Sequence, residues 1–135
     1  IKTIKYVDPN VNYEEYCMYN KQNDLRKANA MFIVCLVKMD ILPVMRALTI
    51  VSSFQELSNE YIEQDGRTNE IEEIAELLFI FLKEGKGIFT DYKGEWIWKF
   101  VIVPNVEKIT KMKKGEKPSI TQRAIFKYMD IMEGL

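Results

Sequence analysis

The chain has 135 residues, 47% hydrophobic and 29% charged, with a formal net charge of −1. That balance suits one soluble globular domain and excludes both a disordered tail and a surface built throughout to hold nucleic acid. There is no histidine, which removes the commonest general base, the usual serine and cysteine triads and the commonest metal ligand.

Two cysteines, Cys17 and Cys35, make no disulfide framework, and the expectation from them is a reduced, intracellular protein. The longest apolar run without a charge, residues 31–37, is too short to cross a bilayer. The chain begins at Ile1 and reads as a fragment whose true start lies upstream.

The elements follow as a succession of helices. Residues 12–20 suggest a short first helix, with Val11, Tyr16, Cys17 and Tyr19 available for packing. Asn23 or Asp24 then caps a second helix to about Lys38, with Leu25, Ala28, Phe32, Cys35, Leu36 and Met39 at helical spacing as its core face. Pro43 suits the first turn of a third, since its missing amide has no intrahelical partner there. Along it Ala47, Ile50, Phe54, Leu57 and Tyr61 form an apolar stripe that ends at Gly66.

A fourth helix begins near Asn69, with Glu72 three residues on as an approximate capping pattern, and buries Ile71, Ile74, Leu77, Leu78 and Phe81 before stopping at Gly85. The glycines in Glu84-Gly85-Lys86-Gly87 follow an apolar helix instead of opening one, so neither a P-loop nor a dinucleotide fingerprint fits. Glu72, Glu73 and Glu76 are the best candidates for paired carboxylates, yet their place in an acidic helix start reads as a solvated face. An enzyme is not expected, and no cofactor or metal site is read.

Residues 87–104 hold Trp96, Trp98, Phe100, Val101 and Val103, which would suit either a strand pair turning at Lys93-Gly94 or a helix. The helical neighbours favour a helix from about Glu95 to Lys113, bent or restarted at Pro104. In the closing stretch Ser119 and Gln122 form a capping box, which starts the last helix at Ser119 with Ala124, Tyr128, Ile131 and Leu135 on its inner face. The sum is an all-α chain of antiparallel helix pairs, which can close as a bundle or stack as a solenoid.

Three segments carry a resemblance. Residues 29–42 have Asn29, Phe32, Ile33, Leu36, Lys38 and Leu42 in the spacing Asn-x-x-Phe-Ile-x-x-Leu-x-Lys, three residues, Leu; the later helix carries Leu77-Leu78 before a glycine-containing turn; the last helix has Arg123, Phe126, Asp130, Ile131 and Glu133. In this order and spacing they resemble the MIF4G family, the middle domain of eukaryotic initiation factor 4G, over most of the chain. The lysine, isoleucine, asparagine and tyrosine bias is similar to that of divergent members from large DNA viruses or AT-rich protists. The tryptophans at 96 and 98 and the proline at 104 have no counterpart in the family pattern.

The resemblance implies a HEAT-type helical solenoid, here the C-terminal three helix pairs as a single domain, 1–135. It also implies a cytoplasmic translation-initiation scaffold that docks and stimulates a DEAD-box RNA helicase of the initiation factor 4A type, alongside other initiation factors. Lys38, Asp40 and Arg46 at one helix junction, and Lys83, Glu84 and Lys86 at the next, are the candidate protein-binding residues; the plain alternative for both sets is solvated turns. Arg123, Asp130 and Glu133 are more simply ties between the last helix and its neighbour, and the two tryptophans are either core or partner anchors.

Charge is unevenly placed. Residues 60–76 carry seven acidic side chains against Arg67, a net of −6, and residues 105–117 carry five lysines against two glutamates, a net of +3. Lys108, Lys111, Lys113, Lys114 and Lys117 are therefore candidate RNA-phosphate contacts, and a helical RNA-binding or generic interaction module is the alternative function. No interleaved aromatics mark a base-stacking platform there.

Overall fold

The computed structural model describes residues 4–89, 91 and 95–135. Among these the chain is helical with no strand: α1 Tyr13–Lys38, α2 Val44–Ile62, α3 Thr68–Glu84, a single turn α4 Lys86–Phe89, a π-helical turn Trp98–Ile102 running into α5 Val103–Thr110, and α6 Gln122–Gly134. The turn expected at Lys93-Gly94 lies outside the described residues.

Short connections force α1, α2 and α3 to alternate in direction. Gln55 Nε2 donates to the Ile102 carbonyl at 3.0 Å and Asn105 Nδ2 to Asn59 Oδ1 at 2.8 Å, so the 98–110 segment runs parallel to α2. Ion pairs Arg123–Glu72 and Lys127–Glu76 likewise set α6 parallel to α3. Two layers result: α1, α3 and α6 point one way, with α3 packed on both of the others, and α2 and α5 point the other way.

One core lies between the layers, and α3 supplies its centre with Ile71, Ile74, Ala75, Leu77, Leu78, Phe81 and Leu82. The expected face of this helix is therefore the one it buries. Its start is not the Asn69 cap: Arg67 stands at the N-cap without a side-chain bond, and its amide donates to Ser119 Oγ at 3.0 Å.

The first two expected helices are one. Asn12 caps it by accepting from the Glu15 amide at 3.1 Å, with Glu14 and Glu15 complementing the dipole. Asn23 does not interrupt it, because its side chain is buried and accepts from Arg26 at 2.6 Å.

The core face expected of this helix is also overturned. α1 buries Tyr19, Asn23, Ala30, Val34 and Val37, whereas Leu25, Phe32 and Met39 are exposed. Two apolar stripes compete, and the slimmer one wins because alanine and valine let α1 approach α3 closely.

The π-turn answers Pro104. Proline has no amide for the Phe100 carbonyl, and the chain widens ahead of it, with the Val103 amide bonding back to the Trp98 carbonyl. The helix alternative holds for this segment among the described residues, from Trp96 to Thr110.

The last helix starts two residues late. Thr121, not Ser119, is its N-cap, accepting from the Ala124 amide at 3.1 Å. Ser119 is instead fully buried as a clasp: its hydroxyl donates to the Gln64 carbonyl and accepts from the Arg67 amide, while its own amide reaches the Ile62 carbonyl at 3.2 Å. Ser119→Ala would leave a partly buried donor and acceptor unpaired, so a loss of about 1–2 kcal/mol is expected in urea unfolding.

Tyr128 of α6 crosses the core to Ser58 of α2, oxygen to oxygen at 3.2 Å. Full burial pushes its phenol up to about 12, with the Ser58 bond pulling weakly the other way. The unfolded chain releases this proton near pH 10 while the folded chain holds it to about 12. Stability from Tyr128 is thus intact below pH 10 and falls by up to about 2–3 kcal/mol as pH rises through that interval. Comparing urea midpoints of the wild type and Tyr128→Phe from pH 9 to 11.5 checks this, with the shallower decline expected in the variant.

Candidate functional site

The alternation of helices brings the last turn of α1, the first turn of α2, the end of α3 and the end of α6 to one end of the layers. Lys38, Asp40 and Arg46 are exposed there on the α1–α2 junction, and Lys83 and Lys86 are exposed with Glu84 half-buried on the α3–α4 junction. Two clusters separated by 37 positions, from Arg46 to Lys83, therefore share one end.

Asp40 holds an unusual backbone. α1 closes through a Schellman arrangement in which the Ile41 amide reaches the Leu36 carbonyl at 2.9 Å and the Asp40 amide the Val37 carbonyl at 3.1 Å. The left-handed position in that motif favours glycine, yet Asp40 occupies it at φ 58°. Strain of this kind at an exposed turn is a pointer to function.

A cleft of about 470 Å³ opens beside the second junction, with Phe79, Leu82, Lys83 and Lys86 on one wall and Asp130, Ile131, Glu133 and Gly134 of α6 on the other. Lys83 and Lys127 place their ammonium groups 5.2 and 4.2 Å from the Phe79 ring centroid. Asp130 and Glu133 are exposed on this cleft, so of the three residues read as ties only Arg123 reaches a neighbouring helix, at 4.0 Å from Glu72.

Glu72, Glu73 and Glu76 are not a solvated face. They line a larger cleft of about 500 Å³ between α1, α3 and α6, and each meets a cation from the flanking helices: Arg123, Lys27 at 3.6 Å and Lys127 at 3.4 Å. They lace the layer together.

The lysine segment lies at the opposite end, on the last turn of α5 and in the connection that follows it. Lys108, Lys111, Lys113 and Lys114 are exposed, and Lys117 is engaged by Glu63 at 2.9 Å. The acidic and basic stretches thus meet side by side, and the contact spends part of the positive field that RNA phosphate would use.

The tryptophans divide. Trp98 is buried against Phe89, ring centroids 5.9 Å apart, whereas Trp96 is 69% exposed and Phe100, one turn on, is exposed with it. Sequence reasoning missed a second exposed apolar feature altogether: the outward face of α1, which borders a cleft of about 340 Å³ containing Ile33, Ile50, Phe54 and Phe81. Its signal was the seven-residue spacing of Val11, Met18, Leu25, Phe32 and Met39.

Among the described residues no group of three or more acidic, cysteine or histidine side chains is placed to hold a metal ion, and no helix is long and apolar enough to cross a membrane. No family model, curated protein or solved structure matches this chain.

Proposed function

We propose that the chain is a non-catalytic, HEAT-type scaffold that docks a DEAD-box RNA helicase of the initiation factor 4A type at the end formed by the α1–α2 and α3–α4 junctions, and stimulates it. The observation that carries this reading is the convergence of Lys38, Asp40 and Arg46 with Lys83, Glu84 and Lys86 on one end of two packed layers. Within each layer the helices run parallel, and across the layers they run antiparallel, an arrangement that supports the solenoid form.

Such an end is rigid, because the helices beneath it are fixed by the α3-centred core, and rigidity lowers the ordering cost of binding. Mixed positive and negative groups there give a two-lobed partner specific charges to match in one lobe arrangement and to miss in another. The scaffold then biases the helicase by differential contact, while ATP hydrolysis stays with the partner.

Titration of this chain into purified initiation factor 4A, with ATPase followed in parallel, tests the proposal. Saturable binding with raised ATPase supports it. Absence of binding, together with strongly salt-dependent RNA binding traced to Lys108, Lys111, Lys113 and Lys114, would replace it with the RNA-binding reading.

A further inference from the structure

Met18, Leu25 and Phe32 of the seven-residue series stand on the side of α1 that faces away from the protein, with Val11 just ahead of the Asn12 cap and Met39 as the C-cap. Val11, Met18, Leu25, Phe32 and Met39 are each more than half exposed, Phe32 at 62%, and Ala28 and Cys35 between them are exposed as well. With about 100° per residue, this seam is centred roughly 170° from the buried face of Tyr19, Asn23, Ala30, Val34 and Val37. A helix with a buried face and an opposite heptad seam is built to pack twice.

We propose that this seam is a self-docking surface, on which α1 of a second copy of the chain packs antiparallel. The charges choose both the occupant's direction and its register. A parallel pair would set Glu14 against Glu14 and Lys21 against Lys21 directly in the seam. An antiparallel pair with its two-fold axis between residues 26 and 27, close to the middle of α1, removes both clashes.

It also matches large against small or slender: Leu25 meets Ala28 of the second copy, Met18 meets Cys35, and Phe32 lies along the aliphatic stem of Lys21. The central layers are thus filled once from each chain, which is the knobs-into-holes requirement; at the ends Met39 lies against the stem of Glu14.

The area suffices. α1 is 26 residues long, about 39 Å, and five large side chains exposing roughly 100 Å² each, with the small and slender residues between them, approach the ~800 Å² per partner of a standard interface. Because the pair is antiparallel, the charged ends of the two copies lie at opposite ends of the dimer; Lys38, beside the seam residue Met39, flanks the interface, while Arg46, Lys83 and Glu84 lie off it.

Light scattering on the full 135-residue chain across about 1–200 μM tests the proposal. Twice the 15.9 kDa monomer mass is expected at the upper end, and Leu25→Glu/Phe32→Glu, both at exposed positions, should weaken dimerisation by at least tenfold while leaving the circular dichroism spectrum unchanged. A monomer throughout the range, or a dimer that the double variant leaves intact, overturns it.

Direction is read by oxidation. In a Cys17→Ser/Met18→Cys background, position 18 should cross-link to Cys35 of the other copy, whereas Cys17→Ser alone should not cross-link, because antiparallel packing separates the two Cys35 residues by about 26 Å along the axis. A Cys35–Cys35 bond in the latter overturns the antiparallel arrangement.

Discussion

Leu78→Ala is expected to lower the unfolding free energy by about 2–5 kcal/mol, a large part of what a domain of this size has. Leu78 has no solvent exposure and sits in α3, the helix on which α1, α2 and α6 all pack. Truncation removes buried methyl groups and leaves a cavity whose walls belong to rigid neighbours, so little collapse can offset the loss. Phe126→Ala is the contrast: a larger side chain, yet 56% exposed on α6, and expected to change stability by no more than about 0.5 kcal/mol. Chemical denaturation of the two variants separates them, and equal losses would mean that α3 is not the centre of the core.

Lys38→Glu/Arg46→Glu is expected to weaken binding to initiation factor 4A by at least tenfold, about 1.4 kcal/mol or more, without affecting the melting temperature. Both side chains are exposed and enter none of the described ion pairs, so the change acts on what the surface presents and not on what holds the fold. The effect should grow at low ionic strength, as it does where charge steers association. Lys111→Glu/Lys114→Glu at the far end is the matched control and should bind as the wild type does. Equal behaviour of the two double variants would remove the α1–α2 junction from the docking site.

The sequence made the helical class legible, and with it the ends at Lys38, Pro43 and Gly85, because periodicity and proline and glycine punctuation act locally. The buried face of α3 was read correctly at Ile71, Ile74, Leu77, Leu78 and Phe81, since its large apolar side chains fall on faces that pack, while Ala75, Leu82 and the Arg67 cap were missed. α1 was misread for the opposite reason: Leu25, Phe32 and Met39 outweigh Ala30, Val34 and Val37 in any count of hydrophobicity, while close approach to α3 rewards the small ones.

Ser119 shows a second limit. A serine three residues before a glutamine satisfies the capping pattern, but the hydroxyl is claimed by Gln64 and Arg67, more than fifty positions away, and Thr121 takes the cap. Long-range demand of that kind leaves no local trace. The charged junctions were legible as turns; that α1, α3 and α6 run the same way and so gather those turns at one end follows only from packing.

The central position of α3 also fixes an order of opening. Its amides should be the slowest in the chain to exchange with deuterium, because exposing them requires the helices on either side to separate first. α6 reaches α3 only after a connection of 37 residues from the end of α3 at Glu84 to Gln122, and the Ser119 clasp is its anchor to the α2–α3 turn. Detachment of an outer helix, α1 or α6, is then the expected sub-global opening, and the edges of the layer are where the native state breathes.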